Sequence, residues 1–414
     1  MITIINKDSC CGCSACLNVC PKHCISMMED KEGFQYPSIN VDKCIDCGLC
    51  EKVCIYNKED SIKANNPLTF AALNNDNQIR EQSSSGGLFS IFSMYILNKQ
   101  GVVYGVAMDK GCKSCFFLRV DKNDHLHKLY GSKYFQANVG STYQCVKSDL
   151  VSGKNVLFSG TPCQVAALKL FLGKDYSNLY TIEVICHGVP SPALWNKYLL
   201  YLEDKYNAKI ERVNFRSKKH GWHKFGLTED GYNITQYLSI KNDPYMIMFL
   251  RNYSLRPSCY NCKAKKIESM ADLTIGDFWG IENIIPEMDD DLGTSIVIIQ
   301  TDKGKFLVEE NNNKMKMKKV LFEDGVKYNR AYDTSCNIPA ERSSFFIEMN
   351  NLPFEKLQAR YCKKKKGNVF IRGLRFAKRI IRRGGVNKPR FSYGLCISFS
   401  KHSNSSTCSP IINE

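Results

Sequence analysis

Several features that the sequence lacks exclude whole classes of protein. In its 414 residues, no uninterrupted apolar run approaches the ~18–20 residues that a membrane-spanning helix needs. The first residues, MITIINKDSCCGC, contain no apolar core of a secretory signal, so we do not expect export. Nothing resembles a Walker phosphate-binding loop or a Ser/His/Asp hydrolase. Hydrophobic residues make up 43% of the chain, which excludes wholesale disorder.

Acidic residues are missing from one stretch near the C-terminus. Residues 360–390 contain thirteen basic residues and no acidic one, so most of the net charge of +16 belongs to a local basic tail. Apolar residues at helical spacing in 369–383 predict a short cationic amphipathic helix. It would suit an anionic membrane surface, and a solvated tail without a partner is the alternative. Because no recognised binding fold accompanies this tail, we expect no nucleic acid partner.

Cysteine, in contrast, is abundant, with 21 residues. Without export they are not expected to form a disulfide framework, so metal or redox chemistry is the first hypothesis. Two runs with the spacing C-x2-C-x2-C-x3-C form an internal repeat with an offset of 34 residues. In such runs three thiolates hold one cluster and the fourth reaches the neighbouring cluster. The repeat predicts two [4Fe-4S] clusters, one held by Cys10, Cys13, Cys16 and Cys54 and the other by Cys44, Cys47, Cys50 and Cys20.

Residues 1–58 therefore resemble a bacterial two-cluster ferredoxin. Zinc is the alternative occupant, but zinc ribbons use paired CxxC knuckles and not two four-cysteine runs. Cys11 and Cys24 fall outside the pattern and are predicted to be ordinary thiols.

After a polar linker, strand and helix signals alternate, which predicts an α/β fold. The strand Val156–Ser159 leads into Cys163, and the strand Tyr180–Ile185 leads into Cys186. Chemistry in such sheets tends to lie just beyond the carboxyl ends of the strands. With the pair Cys259-x2-Cys262 these cysteines could form a four-thiolate site. Spacing alone leaves open whether they bind metal or are small buried hydrophobic residues.

Six ordered motifs carry a family resemblance over roughly residues 68–320. They are Ser83-Ser-Ser-Gly-Gly-Leu-Phe, Gly131-Ser-Lys-Tyr, Gly160-Thr-Pro-Cys-Gln, Cys186-His-Gly-Val-Pro-Ser-Pro, Arg256-Pro-Ser-Cys-Tyr-Asn-Cys and Ala271-Asp-Leu-Thr-Ile-Gly-Asp-Phe-Trp-Gly. Together they resemble the beta-subunit family of coenzyme F420-reducing hydrogenases and related dehydrogenases. The ferredoxin-like front end resembles the bacterial branch, often met with genes of surface-polysaccharide synthesis. The resemblance implies a flavoprotein with its own [4Fe-4S] cluster, whose ligands would be Cys163, Cys186, Cys259 and Cys262.

The resemblance also implies a site for FAD or another flavin. Its first wall would be Ser84, Ser85, Gly86 and Gly87, which precede a helix whose N–H groups suit a diphosphate. The second wall would be Gly131, Ser132, Lys133 and Tyr134. Asp277 could accept a hydrogen bond from the ring or ribose. The alternatives are a plain helix cap with turn glycines and, for Asp277, a turn cap. The basic segment 216–223 could grip an acidic group or form a solvated hairpin.

The sequence therefore predicts an α/β (α+β) multi-domain oxidoreductase. Its regions are a ferredoxin domain (1–58), beta-subunit N-terminal (68–150) and C-terminal (151–330) domains, and a basic extension (331–414). Electrons would pass between the clusters and a flavin, with a ferredoxin or a reductase as redox partner. The alternatives are a non-catalytic electron-transfer subunit and a membrane-surface adaptor of a polysaccharide-synthesis complex with structural clusters. We expect a cytoplasmic protein, and the basic tail leaves open whether it lies at the inner face of the membrane.

Overall fold

The computed structural model describes residues 2, 6–61 and 66–363, and the predicted tail helix lies outside them. The N-terminal region contains one antiparallel strand pair. Each cysteine run leads into a short helix. The elements are α1 (Ala15–Val19), β1 (Ile25–Glu29), β2 (Gln35–Ile39) and α2 (Leu49–Lys52).

A nine-stranded mixed sheet forms the body. Its strands are β3 (Thr69–Asn74), β4 (Val102–Met108), β5 (Cys115–Val120), β6 (Ala137–Asn138), β7 (Val156–Gly160), β8 (Leu179–Val184), β12 (Leu273–Asp277), β13 (Ser295–Ile299) and β14 (Met315–Val320). They lie in the order β14-β3-β13-β12-β8-β7-β4-β5-β6. The central four, β12, β8, β7 and β4, are mutually parallel, so their carboxyl ends share one edge. The predicted α/β class is confirmed.

Helices and a small sheet surround these strands. The small sheet has the order β11-β10-β9, with β9 (Ile210–Ser217), β10 (Gly226–Gly231) and β11 (Ile234–Ser239). The other helices are α3 (Asn77–Gln82), α4 (Leu88–Asn98), α5 (Thr142–Val151), α6 (Pro162–Leu172), α7 (Pro192–Tyr206), α8 (Pro244–Leu250), α9 (Asp302–Glu309), α10 (Phe322–Val326), α11 (Arg342–Asn351) and α12 (Phe354–Tyr361).

The start of α6 shows how the sequence fixes one of these boundaries. Strand β7 ends at Gly160, and the side chains of Thr161 and Gln164 then cap the helix reciprocally. Pro162 occupies the first helical turn, where its missing N–H costs no hydrogen bond. The strand-to-helix turn therefore holds Cys163 at the carboxyl edge of the sheet.

The ferredoxin region packs into the main core of the body. Ala15, Phe34 and Val53 are buried in the same hydrophobic cluster as Trp195 of α7. We call this contact surface the seam. The large sheet contains strands from both sides of residue 150, so the two predicted beta-subunit domains contribute to one sheet. Within the described residues, no helix combines the length and apolar character needed to cross a membrane.

Candidate functional site

The cysteines of the N-terminal repeat lie in two groups that exchange their fourth members. The inner set comprises Cys10, Cys13, Cys16 and Cys54, and the outer set comprises Cys44, Cys47, Cys50 and Cys20. Burial raises the pKa of the Cys16 thiol, and the nearby thiolates of the other three inner members raise it further. Cys20 instead borders the same surface depression as the rest of the outer set. The predicted exchange of fourth ligands is therefore geometrically available.

The two sets differ in their surroundings. The inner run lies in the seam, where Ser14 and Ala15 are buried. The outer run lies at the surface, where Cys47, Ile45 and Val41 are exposed. The thiol of Cys24, predicted to be outside the pattern, lies 3.3 Å from Cys20 Sγ.

Tetrahedral zinc with bonds of about 2.3 Å places its ligand sulfurs roughly 3.8 Å apart. Among the described residues, the metal-ligating group whose atoms all lie within 4.8 Å of one another is His223, Glu282 and Asp289, and it contains no cysteine. No three described thiols therefore approach closely enough for one zinc ion.

A third group, the cavity set, comprises Cys163, Cys186, Cys259 and Cys262. Cys163 follows β7, Cys186 follows β8, and the other two flank a short 3-10 turn at Pro257–Asn261. Burial raises the pKa of the Cys186 thiol, and the nearby thiolates of the other three members raise it further. The structure thus brings together four cysteines from three separate segments.

A cavity of about 840 Å³ opens at the carboxyl edge of the central strands. Its wall includes Cys163 and Cys186 of the cavity set, and also Ser84 and Tyr134 of the two predicted flavin walls. The cavity therefore joins the proposed third cluster site to the proposed flavin site. It is the central feature of the candidate site.

The two predicted flavin walls meet through a pair of serines. The backbone N–H of Ser132 donates to Ser84 Oγ at 2.8 Å, and the two hydroxyls lie 2.9 Å apart. Ser85, Gly87, Gly131 and Lys133 also line the cavity. Helix α4 begins beside Gly87, which has a φ of +77° and no side chain to cap the helix.

Gly86 departs from its predicted role. It is buried and does not border the cavity, because its N–H donates to Ser295 Oγ at 2.9 Å and its carbonyl accepts from Asn74 N. A Cβ at this position would lie 2.7 Å from the carbonyl oxygen of Ala72. Close packing between the turn and the sheet, and not an open phosphate cradle, therefore requires glycine here.

Asp277 also differs from the prediction. Both carboxylate oxygens accept from Arg216 at 2.7 and 2.8 Å, and Oδ1 also accepts from Trp222 Nε1 at 2.8 Å. Asp277 therefore holds the buried Arg216 at the cavity wall, which leaves it little capacity to accept from a cofactor. Lys218 donates to the carbonyl oxygens of Arg80, Ser85 and Leu292.

The contacts of Arg216 and Lys218 show whether the basic segment 216–223 is a solvated hairpin. Burial and the nearby Arg216 lower the pKa of Lys218 to about 7. The inner end of the segment is thus a buried polar network, not a solvated hairpin.

Sequence reasoning missed two residues at the seam. Arg256 is buried and contacts the inner set, and Gln136 Nε2 donates to Cys11 O at 3.3 Å. Cys11 itself, predicted to be an ordinary thiol, lines the cavity. The motif containing Arg256 was recognised, but its contacts join positions more than one hundred residues apart and leave no local signal.

Comparisons with known proteins agree with this organisation. The family model for the C-terminus of the coenzyme F420 hydrogenase/dehydrogenase beta subunit matches residues 153–323. This part of the chain is similar to that family. A 4Fe-4S dicluster domain matches residues 9–58, ahead of the beta-subunit domain. The predicted family and the iron–sulfur character of the front end are confirmed.

One solved structure similar to this chain is the xenon-derivatised F420-reducing [NiFe] hydrogenase complex from Methanosarcina barkeri. The matched chain is 15% identical, with a TM-score of 0.44, and the alignment covers 73% of this chain and 95% of that chain. A search of curated proteins found no match.

Proposed function

We propose that this protein is an iron–sulfur flavoprotein oxidoreductase that transfers electrons between its [4Fe-4S] clusters and a flavin, FAD or another, bound in the cavity. The observation that carries this proposal is the cavity wall, which contains Cys163 and Cys186 together with Ser84 and Tyr134. A bound flavin supplies the conversion between one-electron and two-electron chemistry. The protein supplies its binding site, its orientation and the nearby thiolates.

The described residues fit a flavin. The uncapped start of α4 offers N–H groups and the positive end of a helix dipole to a phosphate. Phe225, Phe249 and Trp279 provide apolar surface for a planar ring. Of the predicted contacts, Ser84, Ser85, Gly87, Gly131, Ser132, Lys133 and Tyr134 line the cavity.

The residues also fit a third cluster. The four thiols of the cavity set are buried or half-buried and come from three different segments. In addition, the N–H of Val189 points at Cys259 Sγ at 3.3 Å, as expected for a group that stabilises a thiolate ligand.

The charge of the cavity wall favours an anionic ligand. Lys133, Lys327 and Arg330 line it, and in the described chain none of them is paired with a carboxylate. Asp277 is the one acidic residue that the described part of the chain contributes to the wall, and Arg216 neutralises it. A phosphate of the flavin or an acidic substrate would satisfy these cations.

A ferredoxin or a reductase is the proposed redox partner, with the outer set as the point of contact. The outer set is the most exposed of the three, and Val41 and Ile45 add apolar surface around it. Exposed apolar side chains beside a redox centre suit a transient protein interface. The predicted contact of the basic tail with a membrane concerns residues outside the described part of the chain.

The test is anaerobic purification of the full chain with quantitation of iron, sulfide and flavin, followed by dithionite titration. We expect about twelve Fe in three cubanes, one flavin, and reduction of both. Cys259→Ser should lose about four Fe, whereas Cys145→Ser, at an exposed thiol outside all three sets, should lose none. About eight Fe in the wild type would eliminate the third cluster.

The same experiment separates the two alternatives. A non-catalytic electron carrier would contain the clusters but no flavin, in spite of the cavity. A structural adaptor would contain iron that dithionite does not reduce.

A further inference from the structure

We propose that Arg256 is the counter-ion of the inner cluster and raises its reduction potential. Arg256 is 1% exposed and lies three residues before Cys259 of the cavity set. Its guanidinium crosses the seam to the inner set. Nε donates to the carbonyl oxygen of Cys10 at 2.7 Å, and Nη2 lies 3.7 Å from Cys10 Sγ.

Among the residues that the structure describes, this cation has no carboxylate partner. Two other buried arginines are paired, Arg80 with Asp290 and Arg216 with Asp277. In the described part of the chain, the remaining hydrogen-bond acceptors of Arg256 are the side-chain oxygen of Gln136 at 2.8 Å and the carbonyl of Gln35 at 2.9 Å. Both acceptors are neutral.

A buried cation without an anion is costly, so its position calls for a resident negative charge. The inner set supplies that charge when it holds a cluster. Four thiolates outweigh the positive charge of the [4Fe-4S] core, so the site is anionic in both redox states. The nearby ring of Tyr36, 4.3 Å from the guanidinium carbon, adds the negative face of an aromatic group.

Reduction adds one electron to the cluster and makes it more negative. Arg256 therefore stabilises the reduced form more than the oxidised form, which raises the potential of the inner cluster. The cation that borders the outer set, Lys22, is exposed, so solvent screens its charge more strongly than that of the buried Arg256. A higher inner potential favours transfer of one electron inward, from the surface cluster towards the cavity.

The backbone of Arg256 links this effect to the cavity set. The N–H of Cys259 donates to the Arg256 carbonyl at 2.9 Å, and the N–H of Arg256 donates to the Val189 carbonyl at 2.9 Å. The backbone of Arg256 thus holds the loop of the cavity set, and its side chain places a positive charge beside the inner set. Arg256 is a positioning residue, since it acts through the cluster.

The test is an EPR-monitored redox titration of the full chain carrying Arg256→Gln. The amide removes the charge and keeps a donor. We expect the midpoint of one ferredoxin-type cluster to fall by about 59 mV or more, a tenfold change in a one-electron equilibrium, while the other stays unchanged. Arg342→Gln is the matched control, because Arg342 pairs with Glu32 across the same seam without touching a cysteine. Its clusters should keep their wild-type potentials.

Unchanged midpoints in Arg256→Gln with full iron would overturn the proposal, as would an equal shift in Arg342→Gln. If Arg256→Gln fails to retain iron, the iron content of Arg256→Lys shows whether the positive charge is needed. Retained iron with the lysine supports the need for charge, and loss of iron from both variants contradicts it. The inference rests on the proposed ligands of the inner set. Because cluster potentials are measured without flavin or substrate, failure of the flavin proposal would be seen separately.

Discussion

The two halves of the ferredoxin repeat have the same spacing of thiols but opposite surroundings. The outer run places Gly48 and Cys47 at the surface, whereas the inner run places Gly12 and Cys13 against the body of the protein. A Cβ on Gly12 would lie 2.6 Å from Gln136 Nε2 and 2.8 Å from Arg256 Nη1. The corresponding position on Gly48 is open.

This difference shows that the repeat determines what each half binds, and packing determines what each half does. Cluster chemistry needs only the thiols and a turn, which both runs supply. Access to a partner protein needs exposure, and electron transfer to the cavity needs contact with the body. The outer half is exposed, and the inner half contacts the body. The comparison predicts that equivalent substitutions in the two halves will have unequal effects.

The largest difference is expected for the cysteines. Cys16→Ser and Cys47→Ser should each lose about four Fe, because each removes one proposed ligand. Only Cys16→Ser should also destabilise the body, by about 5 kcal/mol or more, since metal-binding free energy supports the seam through α1. Iron analysis and denaturant unfolding under argon measure both effects. Equal destabilisation by the two variants would refute the assignment of the inner half to the seam.

The glycine pair should show a smaller difference. Gly12 has a φ of +66° and Gly48 a φ of +73°, so alanine strains both turns by about 1 kcal/mol. Gly12→Ala must also displace the half-buried Gln136 and the buried Arg256, which adds about 1–3 kcal/mol. The midpoints of denaturant unfolding of the two variants provide the comparison. A loss in Gly48→Ala as large as that in Gly12→Ala would show that strain alone, and not the seam, sets the cost.

Asn18 and Lys52 form a third pair separated by the 34-residue offset of the repeat, and only Asn18 is hydrogen-bonded to the body. Asn18 is buried, its side-chain amide donates to the Gly140 carbonyl at 2.7 Å, and its oxygen accepts from Gln144 N. Asn18→Ala should cost about 2 kcal/mol, because it leaves buried groups without partners. Lys52, 34 residues later, is exposed, and Lys52→Ala should stay within about 0.5 kcal/mol. Chemical denaturation followed by circular dichroism gives both values.

A pH-dependent effect is expected away from the seam, in the small sheet. Burial and the nearby Asp243 raise the pKa of Glu229, in β10, to about 8. The Tyr198 hydroxyl has one proton and lies 2.6 Å from Asp243 Oδ2 and 3.2 Å from Glu229 Oε1, so a protonated Glu229 can donate to it. The folded-state pKa is raised, so this contribution to stability is complete below the unfolded pKa and is lost as pH rises towards 8.

Glu229→Gln should remove this pH dependence. Its stability relative to the wild type should increase between pH 5 and pH 8 by about 1–3 kcal/mol, measured by denaturant unfolding at each pH. Glu211→Gln, on the exposed side of β9, is the control and should show no trend. A flat difference for Glu229→Gln would mean that Glu229 is ionised in the folded protein. Neither variant should alter the EPR signals of the clusters.

Much of the fold could be predicted because its signals are local. The strand predicted at Val156–Ser159 is observed as Val156–Gly160, and the helix predicted after the first flavin wall is observed at Leu88–Asn98. Apolar runs, turn glycines and helix caps act within a few residues, so they are visible in the sequence. Sheet order is different, since β3 lies between β13 and β14, which are distant in the chain.

The parts of the candidate site that lie in local sequence motifs could be predicted, whereas the contacts formed by tertiary packing could not. The spacing of the repeat indicated its cluster chemistry. The pairing of Arg216 with Asp277, and of Arg256 with the inner set, depends on contacts across 61 and 246 residues. The pattern at Gly86 predicts a phosphate-binding glycine, but a glycine needed for close packing between backbones has the same sequence pattern.

The proposed path of electrons runs from the outer set to a flavin in the cavity. Rapid mixing of the anaerobic full chain with a reduced one-electron donor protein, followed by flavin absorbance, tests it most directly. The flavin of Cys47→Ser should be reduced at least tenfold more slowly than that of the wild type, with about eight Fe still bound. Equal rates of flavin reduction in the two proteins would contradict the claim.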